Sequence, residues 1–174
     1  MPEPAPSAPE EIVLWRAYVP RWAYAPLSGE GAARHGGRWN PKGQPTIYAA
    51  RELSTAWAEH NQGVVQHPAL ILRLTLTGAR LADLTDAAEL ARLGLDAAIH
   101  ATQWRDLMLR GEAPPTHRLA ARLIGEGAHG VIYPSAMSPG GSCVALWTWN
   151  GEDGPKLEAI DPEGRLPRSP ASWE

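Results

Sequence analysis

Residues 14–60 read LWRAYVPRWAYAPLSGEGAARHGGRWNPKGQPTIYAARELSTAWAEH. Their order decides the fold class. IVLWRAYV (12–19) is rich in β-branched and aromatic residues and predicts a strand. Residues 20–45, punctuated by Pro and Gly, predict a long irregular segment, and such segments inside compact domains are often functional. TIYAA (46–50) predicts a short strand. ELSTAWAEHNQ (52–62) predicts a helix with Leu53, Ala56, Trp57 and His60 on one stripe and Glu59 at its flank.

Beyond that stretch, ALILRLTLTG (69–78) alternates as a strand. TDAAELARLG (85–94) carries a helix cap and a glycine stop. Two further helices are expected over 97–111 and 116–127. Strands follow at 130–135 and 143–150, joined by AMSPGGS, with a weak last strand at 156–160. Strand, loop, strand, helix, strand, helices, then strands is not βαβ alternation. The expectation is an α+β fold, a mixed or antiparallel sheet with flanking helices. Residues 1–11 are Pro-rich and acidic and predict a disordered tail. Residues 12–162 form the domain, and 163–174 read as a second tail.

Composition narrows the function. The 174 residues carry net charge −3, which argues against direct nucleic-acid binding. Cys143 is the single cysteine, so no intrachain disulfide forms. No signal peptide and no membrane span is expected, and the setting reads as cytoplasmic. The six histidines show no HExxH pattern, so no metal site is expected.

Against that acidic total, six Lys or Arg (Arg16, Arg21, Arg34, Arg38, Lys42, Arg51) stand between positions 16 and 51 beside one acid, Glu30. Five glycines fall within 26–50. Glycines let backbone N–H groups approach an anion, and Arg offers a planar fork for phosphate. The segment is therefore either a phosphate-ligand loop or a solvated turn-rich loop. GxGxxG fails at Arg34, and the P-loop pattern fails at Gly43. Tyr48 and Trp39 offer flat faces for stacking a base or pyridine ring, or for core packing. Glu59 would face a groove or solvent. Ser135, at a strand end, would meet a ligand or form a turn.

The SGEGA…GGRWNP loop, the IY strand, Glu59 eleven residues after Tyr48, and VIYPSAMSPGGSCVALW together resemble the RES domain family of bacterial toxins. The resemblance spans roughly 12–160 and is looser over 80–128. It implies a fold like that of ADP-ribosyltransferase toxins. It implies NAD+ as substrate, with no other cofactor, and cleavage of the nicotinamide–ribose bond by phosphorolysis, hydrolysis or ADP-ribosylation of a protein. It implies an Xre-like helix-turn-helix antitoxin as partner and allows a homodimer within that complex. Carried onto this chain, the family's Arg roles fall on Arg16 and Arg38, its Tyr on Tyr48, its Glu on Glu59 and its Ser on Ser135. Glu59, Arg38 and Ser135 would then be catalytic, with Arg16, Arg38, Tyr48, Trp39 and Ser135 binding NAD+. Ala17 stands where some members carry an aromatic, with Trp15 and Tyr18 flanking it. The rivals are a non-catalytic module that docks an acidic partner and a toxin acting on RNA.

Overall fold

The computed structural model describes residues 10–62 and 66–173; residues 1–9 of the expected tail over 1–11 lie outside them, and Glu11 already belongs to the first strand. Strand β1 is Glu11–Tyr18, β2 Ile47–Ala50, β3 Leu70–Thr77 and β4 Leu81–Asp83. Strands β5 Gly130–Pro134, β6 Ser142–Leu146 and β7 Lys156–Ala159 complete one seven-stranded sheet in the order β4-β5-β6-β2-β1-β3-β7. Only β4–β5 is parallel; every other pair is antiparallel. The helices are α1 Glu30–His35, α2 Leu53–Asn61, α3 Ala87–Leu93, α4 Trp104–Leu109 and α5 Pro115–Gly125. The α+β expectation therefore holds.

Strand alternation gives the sheet two apolar faces. Val131, Tyr133, Cys143 and Ala145 pack against Ala56 of α2, Leu93 of α3 and Leu119, Ala120 and Leu123 of α5. Leu14, Ile47, Leu72, Leu74, Leu76, Val144 and Leu157 form the opposite core, covered by Leu27, Trp149 and Leu166 from loops.

The join in the middle of the sheet matters most for function. Strand β1 pairs with β3 along its whole length, Glu11↔Thr77 through Tyr18↔Leu70. Against β2 it makes one residue pair, Trp15↔Ala50. Past that pair the two strands part, so residues 16–18 face residues 47–49 without a ladder between them.

Four expectations need correction. Residues 30–35 of the expected irregular segment are helix α1, which ends at Gly36 in a positive-φ conformation (φ 72°). The expected helix over 97–111 is broken: a 3-10 turn spans Ala97–Ala101, the Thr102 hydroxyl folds back on the Ile99 carbonyl at 2.8 Å, and α4 starts at Trp104. Strand β6 stops at Leu146, and the chain turns at Asn150, whose side chain bonds Leu157 N–H (2.8 Å) and C=O (3.0 Å). The C-terminal segment does not behave as a tail. The Asp161 carboxylate accepts the N–H groups of Arg165 and Leu166 at 2.9 Å each, Leu166 packs on the core, and a 3-10 helix spans Pro170–Trp173.

Candidate active site

Where β1 and β2 part there is a cleft of about 460 Å³. Arg16, Ala17 and Tyr18 line it from one strand and Tyr48, Ala49 and Ala50 from the other; Gly36, Gly37 and Arg38, together with Glu59, Tyr133 and Cys143, close the walls. Four of the sequence candidates, Arg16, Arg38, Tyr48 and Glu59, meet there. Ser135 joins through Glu59.

Helix α2 presents the carboxylate. Its buried face is Thr55 and Ala56; of the expected stripe Ala56 is buried, Trp57 and His60 are half-buried, and Leu53 is 46% exposed. Glu59 lies one turn beyond Thr55 on that face. The face is a polar seam against the 135–142 loop. Glu52 accepts the Ser142 N–H (2.9 Å) and hydroxyl (3.3 Å), Thr55 donates to the Ser138 hydroxyl (3.2 Å), and Ser135 donates to Glu59 Oε1 (2.6 Å). Positions 52, 55 and 59 meet 142, 138 and 135 in antiparallel order, both series spaced by three and four. Gly141 is required here, because a Cβ would stand 2.1 Å from the Thr55 hydroxyl.

Ser135 Oγ also accepts the N–H groups of Met137 (3.1 Å) and Ser138 (3.0 Å). Its one proton is thereby aimed at Glu59. Of the two readings of Ser135 the geometry shows the turn: it does not line the cleft, and its hydroxyl proton is committed to Glu59. The Cys143 thiol approaches the same Oε1 at 3.7 Å. Burial first, then the Glu59 charge, pushes that thiol up to about 12, so it stays protonated as a packing group. Among the described residues Glu59 Oε2 has no protein partner, and Glu59 lines the cleft.

The glycine-rich loop is knotted rather than free. Fully buried Asn40 donates to the carbonyls of Ala32 (3.0 Å), Pro41 (2.9 Å) and Gln44 (3.1 Å) and accepts the Tyr48 hydroxyl proton (2.7 Å). The same Tyr48 oxygen accepts the Trp39 N–H (2.9 Å). A Cβ at Gly37 would lie 2.5 Å from that oxygen, which explains the glycine. The carbonyls of the turn are held from outside: Gly37 by His117 Nε2 (2.7 Å), Arg38 by the Thr116 hydroxyl (2.5 Å) and Trp39 by Trp147 Nε1 (3.0 Å). A carbonyl only accepts, so His117 carries its proton on Nε2. Burial raises the Tyr48 phenol, which remains a neutral donor.

The cations are partly committed as well. Arg16 donates to the Pro26 (2.7 Å) and Ser28 (3.0 Å) carbonyls, and burial lowers its pKa. Arg38, 8% exposed, donates through Nη2 to the His100 carbonyl and lies over the rings of Tyr133 (5.2 Å) and Trp39 (5.8 Å). Its Nε is buried without a partner among the described residues. A buried N–H of this kind is costly unless something else accepts it.

Trp39 is corrected. It is fully buried, packs on Tyr133 at 5.4 Å and does not line the cleft, so it has no face to offer a ligand. Sequence reasoning missed Asn40, Thr116, His117, Tyr133 and Trp147. The one available signal was the matched spacing of the α2 and 135–142 polar residues, which would have pointed to Glu52, Thr55 and Ser138.

The family model of the RES domain matches residues 13–169. The chain belongs to the RES domain family. The structure of the M. tuberculosis MbcT–MbcA toxin–antitoxin complex has the same fold: TM-score 0.59, over 89% of this chain and 87% of that one, at 19% identity. No protein of curated function matches the sequence. In this RES domain Glu59 stands at the cleft, Ser135 donates to it, and Arg16 and Arg38 are bound into the cleft walls.

Proposed function

We propose that this RES domain is the toxin of a toxin–antitoxin pair and acts on NAD+, breaking its nicotinamide–ribose bond. The observation that carries the reading is Glu59. One oxygen is fixed by Ser135 at 2.6 Å, while the other has no partner among the described residues and stands at a cleft whose remaining charged groups include Arg16 and Arg38.

That arrangement suits a substrate with a cation at one end and a diphosphate in the middle. When the C1′–N bond breaks, its electron pair leaves with nicotinamide, which departs neutral, so no general acid is needed. The ribose is left as an oxocarbenium-like cation. A carboxylate fixed in advance stabilises that charge without reorganising. The positive charge of Arg16 and Arg38 in the walls favours the diphosphate, and the ring of Tyr48 forms one wall. Phosphate or water then attacks C1′, giving ADP-ribose 1-phosphate or ADP-ribose and depleting NAD+. The same first step serves a protein side chain as acceptor; mass spectrometry of the products with and without phosphate separates the three. The MbcT–MbcA fold match supports an antitoxin partner, and the RES family resemblance makes an Xre-like helix-turn-helix protein its candidate.

Glu59→Gln tests the mechanism. Nicotinamide release from NAD+ falls below detection while the thermal midpoint stays within a few degrees of the parent. Release at the parent rate rejects the role of Glu59.

A further inference from the structure

Three arginines line the cleft: Arg16, Arg38 and Arg105. Two of them already serve the protein. Arg16 has both terminal nitrogens on loop carbonyls, and Arg38 is buried between rings with Nη2 on His100. Arg105 differs. It is exposed, lies over the neighbouring Trp104 ring at 4.9 Å, and makes no hydrogen bond or ion pair among the described residues. Of the other exposed arginines, Arg92, Arg110 and Arg122 are paired with Glu89, Glu112 and Glu126, and those without a partner among the described residues, such as Arg34 and Arg118, do not line the cleft.

Its position is set by packing. Helix α4 seats Met108 against Gly36, where a Cβ would meet the methionine Cε at 2.5 Å. That contact brings the start of α4 to the wall formed by Gly36, Gly37 and Arg38. Trp104 lines the cleft too. Stacking on an indole restrains the guanidinium without consuming its N–H donors, so less rotamer entropy is lost when it meets an anion.

We propose that Arg105, held by Trp104, is the side chain that contacts the substrate diphosphate directly, while Arg16 chiefly fixes the loop and Arg38 the wall. The assignment rests on the NAD+ reading. It adds a binding residue from a helix outside the glycine-rich segment.

Calorimetry with ADP-ribose and steady-state nicotinamide release test it. Arg105→Ala weakens ADP-ribose binding and raises KM for NAD+ by about 10- to 100-fold, the range of one charge-assisted hydrogen bond, with kcat within about twofold. Arg105→Lys falls between, since Lys keeps the charge without the fork. Arg34→Ala removes an exposed cation from α1, away from the cleft lining, and leaves binding unchanged. An Arg105→Ala Kd within twofold of the parent overturns the proposal, as does an equal loss in Arg34→Ala. A parent chain that binds ADP-ribose yet releases no nicotinamide rejects bond cleavage, and the Kd comparison still judges Arg105. A parent that binds no ADP-ribose rejects both.

Discussion

Removing one oxygen atom from Tyr48 tests whether the glycine-rich loop is a rigid part of the site. In Tyr48→Phe the ring remains, so the cleft wall keeps its shape. Two buried groups lose their partner: the Trp39 N–H, held at 2.9 Å, and Asn40 Oδ1, held at 2.7 Å. Trp39 and Asn40 are both fully buried, so water does not replace the phenol. Leaving a buried polar group unsatisfied costs about 1–3 kcal/mol. The two losses share one cavity and relax together, so the expected total is about 3 kcal/mol rather than the upper sum. For a domain of this size that lowers the thermal midpoint by about 6–12 °C. Differential scanning calorimetry reads this directly. Asn40→Ala, measured alongside, should couple to it: the double variant loses less than the two singles together. A midpoint for Tyr48→Phe within about 1 °C of the parent would refute the loop knot as a stabilising unit.

Two further expectations follow from the site. Ser135→Ala removes the 2.6 Å hydroxyl donor that fixes the Glu59 carboxylate, so kcat for nicotinamide release falls about 10- to 100-fold with KM nearly unchanged; a raised KM with normal kcat would make Ser135 a substrate ligand instead. Stability should also rise with pH between about 5 and 7. Burial lowers the pKa of His60, His100 and His129, with His67, Arg38 and Arg80 respectively adding to it. The unfolded chain therefore binds more protons in that window, below the ordinary histidine value of about 6.5. Stability is full above that value and declines as pH falls toward the folded values. A thermal midpoint equal or higher at pH 5.5 than at pH 7.5 would contradict this.

The strands were the legible part of the chain. β-Branched and aromatic content placed β1, and apolar alternation placed β3, each to within a residue. Helix α1 was hidden by its glycines, since Gly29 and Gly36 mark its ends while Gly31 lies within it; tertiary ties from Asn40 to Ala32 hold what propensity does not. Strand β4 is three residues long and exists through its pairing with β5. At the site, residue types at family spacing located Glu59, Arg38, Tyr48 and Arg16. What they do was not legible, because it depends on partners far along the chain: Ser135 lies 76 positions from Glu59 and Thr116 lies 78 from Arg38. Trp39 was misread for the same reason. Its polar neighbours suggested exposure, but Arg38 and Asn40 are themselves buried, held by the His100 carbonyl and by backbone carbonyls of the glycine-rich segment and Tyr48.

The single backbone pair between β1 and β2 sets stability and catalysis at odds. Extending that pairing to Arg16–Tyr18 and Ile47–Ala49 would satisfy more main-chain groups and strengthen the domain. It would also zip shut the space in which a substrate lies. Variants selected for heat resistance alone should therefore drift toward a closed, inert sheet, and the gap persists only where selection acts on turnover.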